Sequence, residues 1–355
     1  MISVELVAQR TLDVVERPVP PDPGPGEVLV RLRAVGLCGS DLHWYQDGRV
    51  GYNEAVYPMV LGHEPVGEVV AAGPGVDTHR PGDKVAIEPS VVCGVCEFCR
   101  MGRPNNCVSC VFMGGTQLPG FFREFATVPA RNAEHFPSDF DYLTATLIEP
   151  VAVIVHVLEL APVSPGDVIA VLGAGPIGLL CANLARLAGA AKVIVADRVR
   201  HRLRIATQVS REFHCVDMRE TSVTDAVADL TKGRGADIVF DAAGAPETMA
   251  AGMHIARPSG QYVLIGIPSA RSTPFDLHTA MNKELRIQTV KRSNHKGHEA
   301  IELIREGKIP DVIITHRLPL THTAEAFELV SEYRDGVGKL VVEMPAPAAT
   351  GDAAA

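Results

Sequence analysis

Residues 167–189 read DVIAVLGAGPIGLLCANLARLAG, and this stretch decides the α/β half of the fold. Asp167–Leu172 has the unbroken apolar character of a buried strand, and Leu179–Ala188 has helical spacing. Between them lies Gly173-Ala174-Gly175-Pro176-Ile177-Gly178. A G-x-G-x-x-G run says little alone, but between a strand and a helix it marks a dinucleotide site. Gly173 and Gly175 let the backbone turn and approach a pyrophosphate, and Gly178 lets helix and strand pack closely. With Pro176 and Ile177 they open a helix whose free N–H groups and dipole favour an anion. Asp197 follows the next strand, Lys192–Ala196, where an acid accepts hydrogen bonds from the adenosine ribose. A carboxylate there repels a 2′-phosphate, which favours NAD over NADP. Arg198 next to it could serve a phosphate. Arg202 reads as a second ribose- or adenine-side contact. Either arginine reads equally well as a solvated surface charge.

Working outward, the strand–helix alternation continues through a helix at Arg202–Gln208 and strands at Ile238–Asp241 and Tyr262–Ile267. That pattern predicts a parallel sheet covered by helices. Beyond Val290 we expect a helix (Glu299–Glu306), a strand (Val312–Thr315), a helix (Ala324–Ser331) and a strand (Lys339–Glu343). Upstream the texture differs. The first 155 or so residues are rich in Gly and Pro, with β-like runs at Val28–Ala34, Gly67–Ala72, Lys84–Ile87 and Phe125–Val128. Turn signals such as PGPGE and RPGDK separate them, which predicts an irregular β domain or barrel. The length, 355 residues, exceeds what one core usually serves, so two domains are expected. A net charge of −9 argues against a nucleic-acid partner. The N-terminus has acids where a signal peptide needs an apolar core, and no apolar run is expected to span a membrane. A cytoplasmic protein is expected. The tail APAATGDAAA has no large apolar side chain to bury and is expected to fray.

Four cysteines fall in CGVCEFCRMGRPNNC: Cys93, Cys96, Cys99 and Cys107. Two-residue gaps let thiolates fold back onto one ion, and four thiolates close a tetrahedral shell, as in a structural zinc site. A disulfide cluster fits poorly in a long chain that is otherwise cysteine-poor. An iron–sulfur cluster also takes four thiolates, but the Cys-Pro ending of the bacterial ferredoxin run is missing. A redox C-x2-C would need only two of the four. Cys110, Cys181 and Cys215 read as plain thiols, although Cys110 is near enough to Cys107 to compete for the metal.

One more cysteine, Cys38, stands in GLCGSDLH, and GHE at Gly62-His63-Glu64 follows. Thiolate, imidazole and carboxylate are the ligand types of an open catalytic zinc, though a lone Cys or His is more often structural. CGSDLH, GHEPVGEV, the four-cysteine lobe and GAGPIG occur in the order seen in zinc-dependent medium-chain dehydrogenases, which the chain resembles over about residues 1–344. CGSDLHWYQDGRVG, YPMVLGHE and Leu147-Ile148-Glu149-Pro150 make it most similar to the polyol branch, the sorbitol and xylitol dehydrogenases.

That resemblance implies a GroES-like catalytic domain (1–155 plus 291–355, with a zinc lobe at about 90–110) around a Rossmann domain (156–290). It implies two zinc ions per chain, NAD, a polyol substrate and a homotetramer or dimer. Cys38 and His63 become direct ligands of the catalytic zinc and Glu64 the next one, with Glu149 holding a water or exchanging with Glu64. Cys38, Glu64 and Glu149 together carry three negative charges against Zn²⁺, which favours one direct and one water-mediated carboxylate. Ser40 matches the family's relay hydroxyl, and His43 can pass the proton outward. Tyr45, Phe112 and Arg292 resemble positions that line the polyol channel. The sequence Lys291-Arg292-Ser293-Asn294 departs from the animal sorbitol enzymes, as does the complete four-cysteine lobe. Threonine or secondary-alcohol oxidation is the alternative activity, and a non-catalytic NAD-binding member is the alternative class.

Overall fold

The structure is a computed structural model that describes residues 1–346; the expectation for the tail concerns residues outside that range from position 347 on. A hairpin of β1 (Ile2–Ala8) and β2 (Thr11–Glu16) opens the chain. The long strand β3 (Glu27–Gly36) is buried along most of its length, with only Glu27, Arg31 and Arg33 half-exposed, as a central strand covered on both faces is. It leads into helix α1 (Gly39–Asp47), then β4 (Glu64–Ala72) and β5 (Lys84–Ile87). After the cysteine lobe come β6 (Phe125–Pro129) and β7 (Ala133–His135). β4 and β6 both pair antiparallel with β3, and β5 and β7 extend the sheet beyond β4. Leu6, Val30, Leu32, Val69, Phe121 and Phe122 fill its core.

Helix α2 (Ile148–Leu160) joins this sheet to the second half. Together with the short helix before it, Tyr142–Leu160 is a helical stretch of 19 residues, apolar enough over most of its length to cross a membrane. This corrects the expectation that no apolar run reaches membrane-spanning length. Val151, Ile154 and Val157 of that stretch are fully buried in the protein's own core.

The second half alternates as its sequence predicts. It runs β8 (Val168–Leu172), α3 (Pro176–Leu187), β9 (Lys192–Asp197), α4 (Arg200–Val209) and β10 (His214–Asp217). It continues through α5 (Val223–Thr231), β11 (Ala236–Asp241), α6 (Pro246–Ile255), β12 (Ala256–Leu264), α7 (Leu277–Asn282) and β13 (Arg286–Thr289). All pairings are parallel, in the order β10-β9-β8-β11-β12-β13. This is the doubly wound nucleotide-binding order, with the strand reversal between β8 and β11. Ile169 and Val171 enter one core and Ala170 and Leu172 the other, so both faces of β8 are covered. The strand expected at Tyr262–Ile267 ends instead at Leu264. Gly266 runs so close to Gly244 that a Cβ there would overlap the Gly244 backbone nitrogen.

Helix α8 (Gly297–Arg305) leads into β14 (Ile314–Pro319), α9 (Thr323–Ser331) and β15 (Lys339–Glu343). The strand expected at Val312–Thr315 is a 3₁₀ turn over Asp311–Ile313 followed by β14, because the fully buried Ile313 plugs the core before the chain extends. β15 pairs antiparallel with β3, and β14 pairs with β15, so the C-terminal strands complete the first sheet.

Candidate metal and coenzyme sites

The lobe sulfurs of Cys93, Cys96, Cys99 and Cys107 all lie within 4.8 Å of one another. The Cys96–Cys99 and Cys93–Cys107 separations are 3.5 Å. A disulfide needs about 2.05 Å. A tetrahedron with zinc–sulfur bonds of about 2.3 Å has edges near 3.8 Å, so this donor set fits zinc. Backbone N–H groups of Cys99 and Val108 pull the Cys96 thiol down to about 6, towards the thiolate a metal requires. Cys110 lies outside the cluster, and its sulfur accepts a hydrogen bond from Arg292 Nη1 at 3.0 Å.

The second cluster forms where three elements meet. Cys38 caps α1, and His63 and Glu64 stand at the start of β4. One donor atom from each lies within 4.8 Å of the others. Ser40 Oγ is 3.4 Å from Cys38 Sγ and 3.3 Å from His63 Nε2, so its hydroxyl touches two of the three. His43 is one helical turn further on, with Nδ1 2.9 Å from Asp47 Oδ2. Glu149, in the first turn of α2, lines a cavity of about 20 Å³ with Glu64, Glu88 and Glu134. That is room for about one water. Burial pushes the Glu149 carboxyl up to about 8; Glu64 and Glu88 add to the rise and His63 opposes it.

Two charged residues that sequence reading missed hold this cluster in shape. Asp41 is fully buried. Its Oδ2 accepts from the Cys38 backbone N–H at 3.1 Å, and its Oδ1 accepts from the Gly62 N–H at 3.1 Å and meets His63 Nδ1 at 3.2 Å. A carboxylate on the far imidazole nitrogen orients the ring and raises its basicity as a metal ligand. Burial disfavours a charge on His63, but Asp41 and Cys38 outweigh it and hold the imidazole well above its usual pKa. An acid three residues after a helix cap is a readable signal, and it could have pointed to Asp41. Lys339 gives no such signal: it reaches Glu64 from the far end of the chain, and the two form a buried ion pair.

Of the expected substrate residues, Phe112 packs against His63, and Arg292 packs against Phe112. The Phe112 ring centroid is 5.5 Å from that of His63, and the Arg292 guanidinium lies 4.2 Å over the Phe112 ring. Arg292 takes a left-handed backbone (φ 59°), as do Asn294 and His295. Tyr45 does not reach the site. It is 6% exposed, and its ring packs on Phe327 of α9 at 5.1 Å in the sheet core. Five residues along a helix is about 140° of turn. Trp44, four residues after Ser40, shares the Ser40 face instead.

At the glycine turn, Gly173 has φ 99°, and Gly175 caps α3 with Pro176 in its first turn. A Cβ on Gly178 would overlap the Gly173 carbonyl oxygen, which accounts for the third glycine. Asp197, at the end of β9, accepts from the Ala174 N–H at 2.6 Å and the Val199 N–H at 2.7 Å. A carboxylate has about four acceptor positions, so two remain for ribose hydroxyls. Arg202 lies over the glycine turn near Gly175, its guanidinium 4.6 Å above the Tyr333 ring. Arg198 is exposed.

Residues 24–138 match the family described as alcohol dehydrogenase GroES-like domain, and residues 176–306 match the zinc-binding dehydrogenase family. The chain is 32% identical to a sorbitol dehydrogenase of Bacillus subtilis over 334 residues, 94% of each chain. It is 35% identical to D-xylulose reductase A of Aspergillus oryzae over 302 residues, 83% of each. A structure described as a short-chain alcohol dehydrogenase of Escherichia coli CFT073 complexed with NADH superimposes with a TM-score of 0.87. Its identity is 31%, and the match covers 97% of this chain and 99% of that one.

Proposed function

This chain belongs to the zinc-dependent medium-chain dehydrogenases, in their polyol branch, and from that premise we propose that it oxidises a secondary hydroxyl of a sugar alcohol to a ketose. The observation that carries the reading is the meeting of Cys38, His63 and Glu64 with Ser40 in contact with two of them. When bound, zinc supplies the Lewis acidity that makes a secondary alcohol acidic near neutral pH, and NAD supplies the hydride acceptor.

The protein's part is to bind, orient and move a proton. Cys38 and His63 hold the metal with Glu64, and Glu149 stands beside them at the small cavity. The alcohol proton leaves through Ser40 Oγ, and His43, steadied by Asp47, passes it towards solvent. A proton and two electrons leave the carbinol carbon together as hydride; the hydroxyl proton goes to solvent, so the product is a ketone. Arg292, braced by Phe112, offers a fork of donors to further hydroxyls on the substrate. Asp197 would take the adenosine ribose, which favours NAD, and Arg202, beside Gly175, would add a positive charge at the glycine turn.

The same reading divides the chain into a catalytic domain (1–155 plus 291–355) and a coenzyme domain (156–290), supported by β15 pairing with β3. It places the enzyme in the cytoplasm, supported by eight unpaired cysteines. It also makes the enzyme a homotetramer, supported by the exposed Val95, Met101 and Val108 on the lobe, at 65, 66 and 73%. Initial rates with short polyols, threonine and simple secondary alcohols, each with NAD⁺ and NADP⁺, test the function. Fastest turnover of a polyol with NAD⁺ is expected. Preference for threonine, or no turnover of any alcohol, would reject it.

A further inference from the structure

Lys339 is 2% exposed, a cation almost wholly out of water behind the proposed catalytic metal site. Its Nζ pairs with Glu64 Oε2 and donates to the Leu37 carbonyl at 3.2 Å. Three strands are shaped around that pair. β3 carries Gly36 opposite Glu64 of β4, and β15 brings Lys339 to the same place, two residues before Val341 meets Gly36. A Cβ on Gly36 would overlap Glu64 Oε2 and press on Lys339 Cε at 2.9 Å. The absent side chain is what lets the pair close.

Stability alone explains this pair poorly. Burying two charges is costly, and apolar replacements of buried pairs are often neutral or better. The charges around the metal explain it better. Cys38 and Glu64 both bring negative charge to the metal, and Lys339 sets one positive charge against Glu64 from the strand side. It does so at one defined atom, Glu64 Oε2, so that oxygen is occupied from the strand side.

We propose that Lys339 is a positioning residue for Glu64: by holding Oε2 it limits Glu64 to one-oxygen ligation and keeps a coordination position open for the substrate hydroxyl. This rests on the reading that zinc is held by Cys38 and His63. With Lys339 gone, the nearest cation for the freed oxygen is the metal. Glu64 then grips it with both oxygens, and the open position closes.

The test measures release of the catalytic zinc to a chelator and the visible spectrum of the cobalt-substituted enzyme, for wild type, Lys339→Met and Lys339→Arg. Lys339→Met should release its catalytic metal about tenfold more slowly, because a positive charge that repels the cation is gone from beside its ligand. Its cobalt absorption should weaken and shift towards higher coordination, and kcat should fall. Lys339→Arg should restore all three. In a Glu64→Gln background, Lys339→Met should no longer slow release. A Lys339 with a purely structural role gives the opposite sign: metal leaves faster in Lys339→Met and the cobalt spectrum keeps its shape. That result, or an unchanged release rate, overturns the proposal. If Lys339→Met fails to fold, Lys339→Gln keeps a donor for the Leu37 carbonyl and carries the same readouts. A wild-type protein that holds only the lobe zinc would instead remove the two-zinc reading, and this proposal with it.

Discussion

Asp41→Asn isolates the residue that ties Cys38 to His63. The side chains are nearly equal in volume, so packing around this fully buried position is preserved. Hydrogen bonding is not. The carboxylate accepts on both oxygens, from Cys38 N–H on one side and from Gly62 N–H on the other, with His63 Nδ1 beside the latter. An amide has one acceptor and one donor. Turned one way it orphans the Cys38 N–H; turned the other way it orphans Gly62 and presents a donor to His63. The first is cheaper and leaves one buried donor unpaired, costing about 1–3 kcal/mol. Loss of the carboxylate behind the imidazole should weaken metal affinity or activity by about 10–100-fold. Equilibrium urea unfolding measures the first effect, and competition with a chelator measures the second. Unfolding unchanged within about 0.5 kcal/mol together with wild-type zinc retention would refute the role given to Asp41, since that is the size of a neutral surface substitution.

Other expected outcomes concern separate parts of the protein. Cys93→Ser should lose the lobe zinc and keep the catalytic one, read by metal analysis as one zinc per chain with turnover largely retained; loss of both ions would contradict separate sites. Asp197→Ser should reduce the preference for NAD⁺ over NADP⁺ in kcat/KM, and an unchanged ratio would remove Asp197 from the ribose site. Burial, helped by the charges of Glu88 and Glu299, raises the Glu134 carboxyl to about 7. A carboxyl raised on folding holds its proton while the unfolded chain releases its own, so stability falls as pH rises from about 4.5 to 7. Glu134→Gln should flatten that slope in pH-dependent thermal unfolding and gain stability above pH 7; an identical slope would refute the assignment.

What the sequence shows depends on how local the signal is. Lys84–Ile87 and Lys339–Glu343 are legible to the residue because apolar runs meet clear turn residues at both ends. The glycine turn and the lobe are legible because each packs its chemistry into about fifteen consecutive residues. The β1–β2 hairpin is not, because charges interrupt its apolar pattern: β2 buries none of its residues fully. Tyr45 rests on resemblance alone, and no local signal separates it from Trp44, which a turn of 3.6 residues puts on the Ser40 face. Lys339 and Glu64 are 275 residues apart, and only pairing of β15 with β3 brings them together. Such long-range partners leave no trace in local spacing, although they fix the charge balance at the site.

Two zinc ions in one chain, one holding the lobe and one beside Ser40, should be visible as separate atoms. Anomalous diffraction from crystals of the purified enzyme at the zinc edge tests it most directly. Two peaks are expected. One should sit about 2.3 Å from the sulfurs of Cys93, Cys96, Cys99 and Cys107, and the other at bonding distance, about 2.0–2.3 Å, from Cys38 Sγ and His63 Nε2. A single peak at the lobe, with none between Cys38 and His63 in protein that turns over an alcohol, would contradict it.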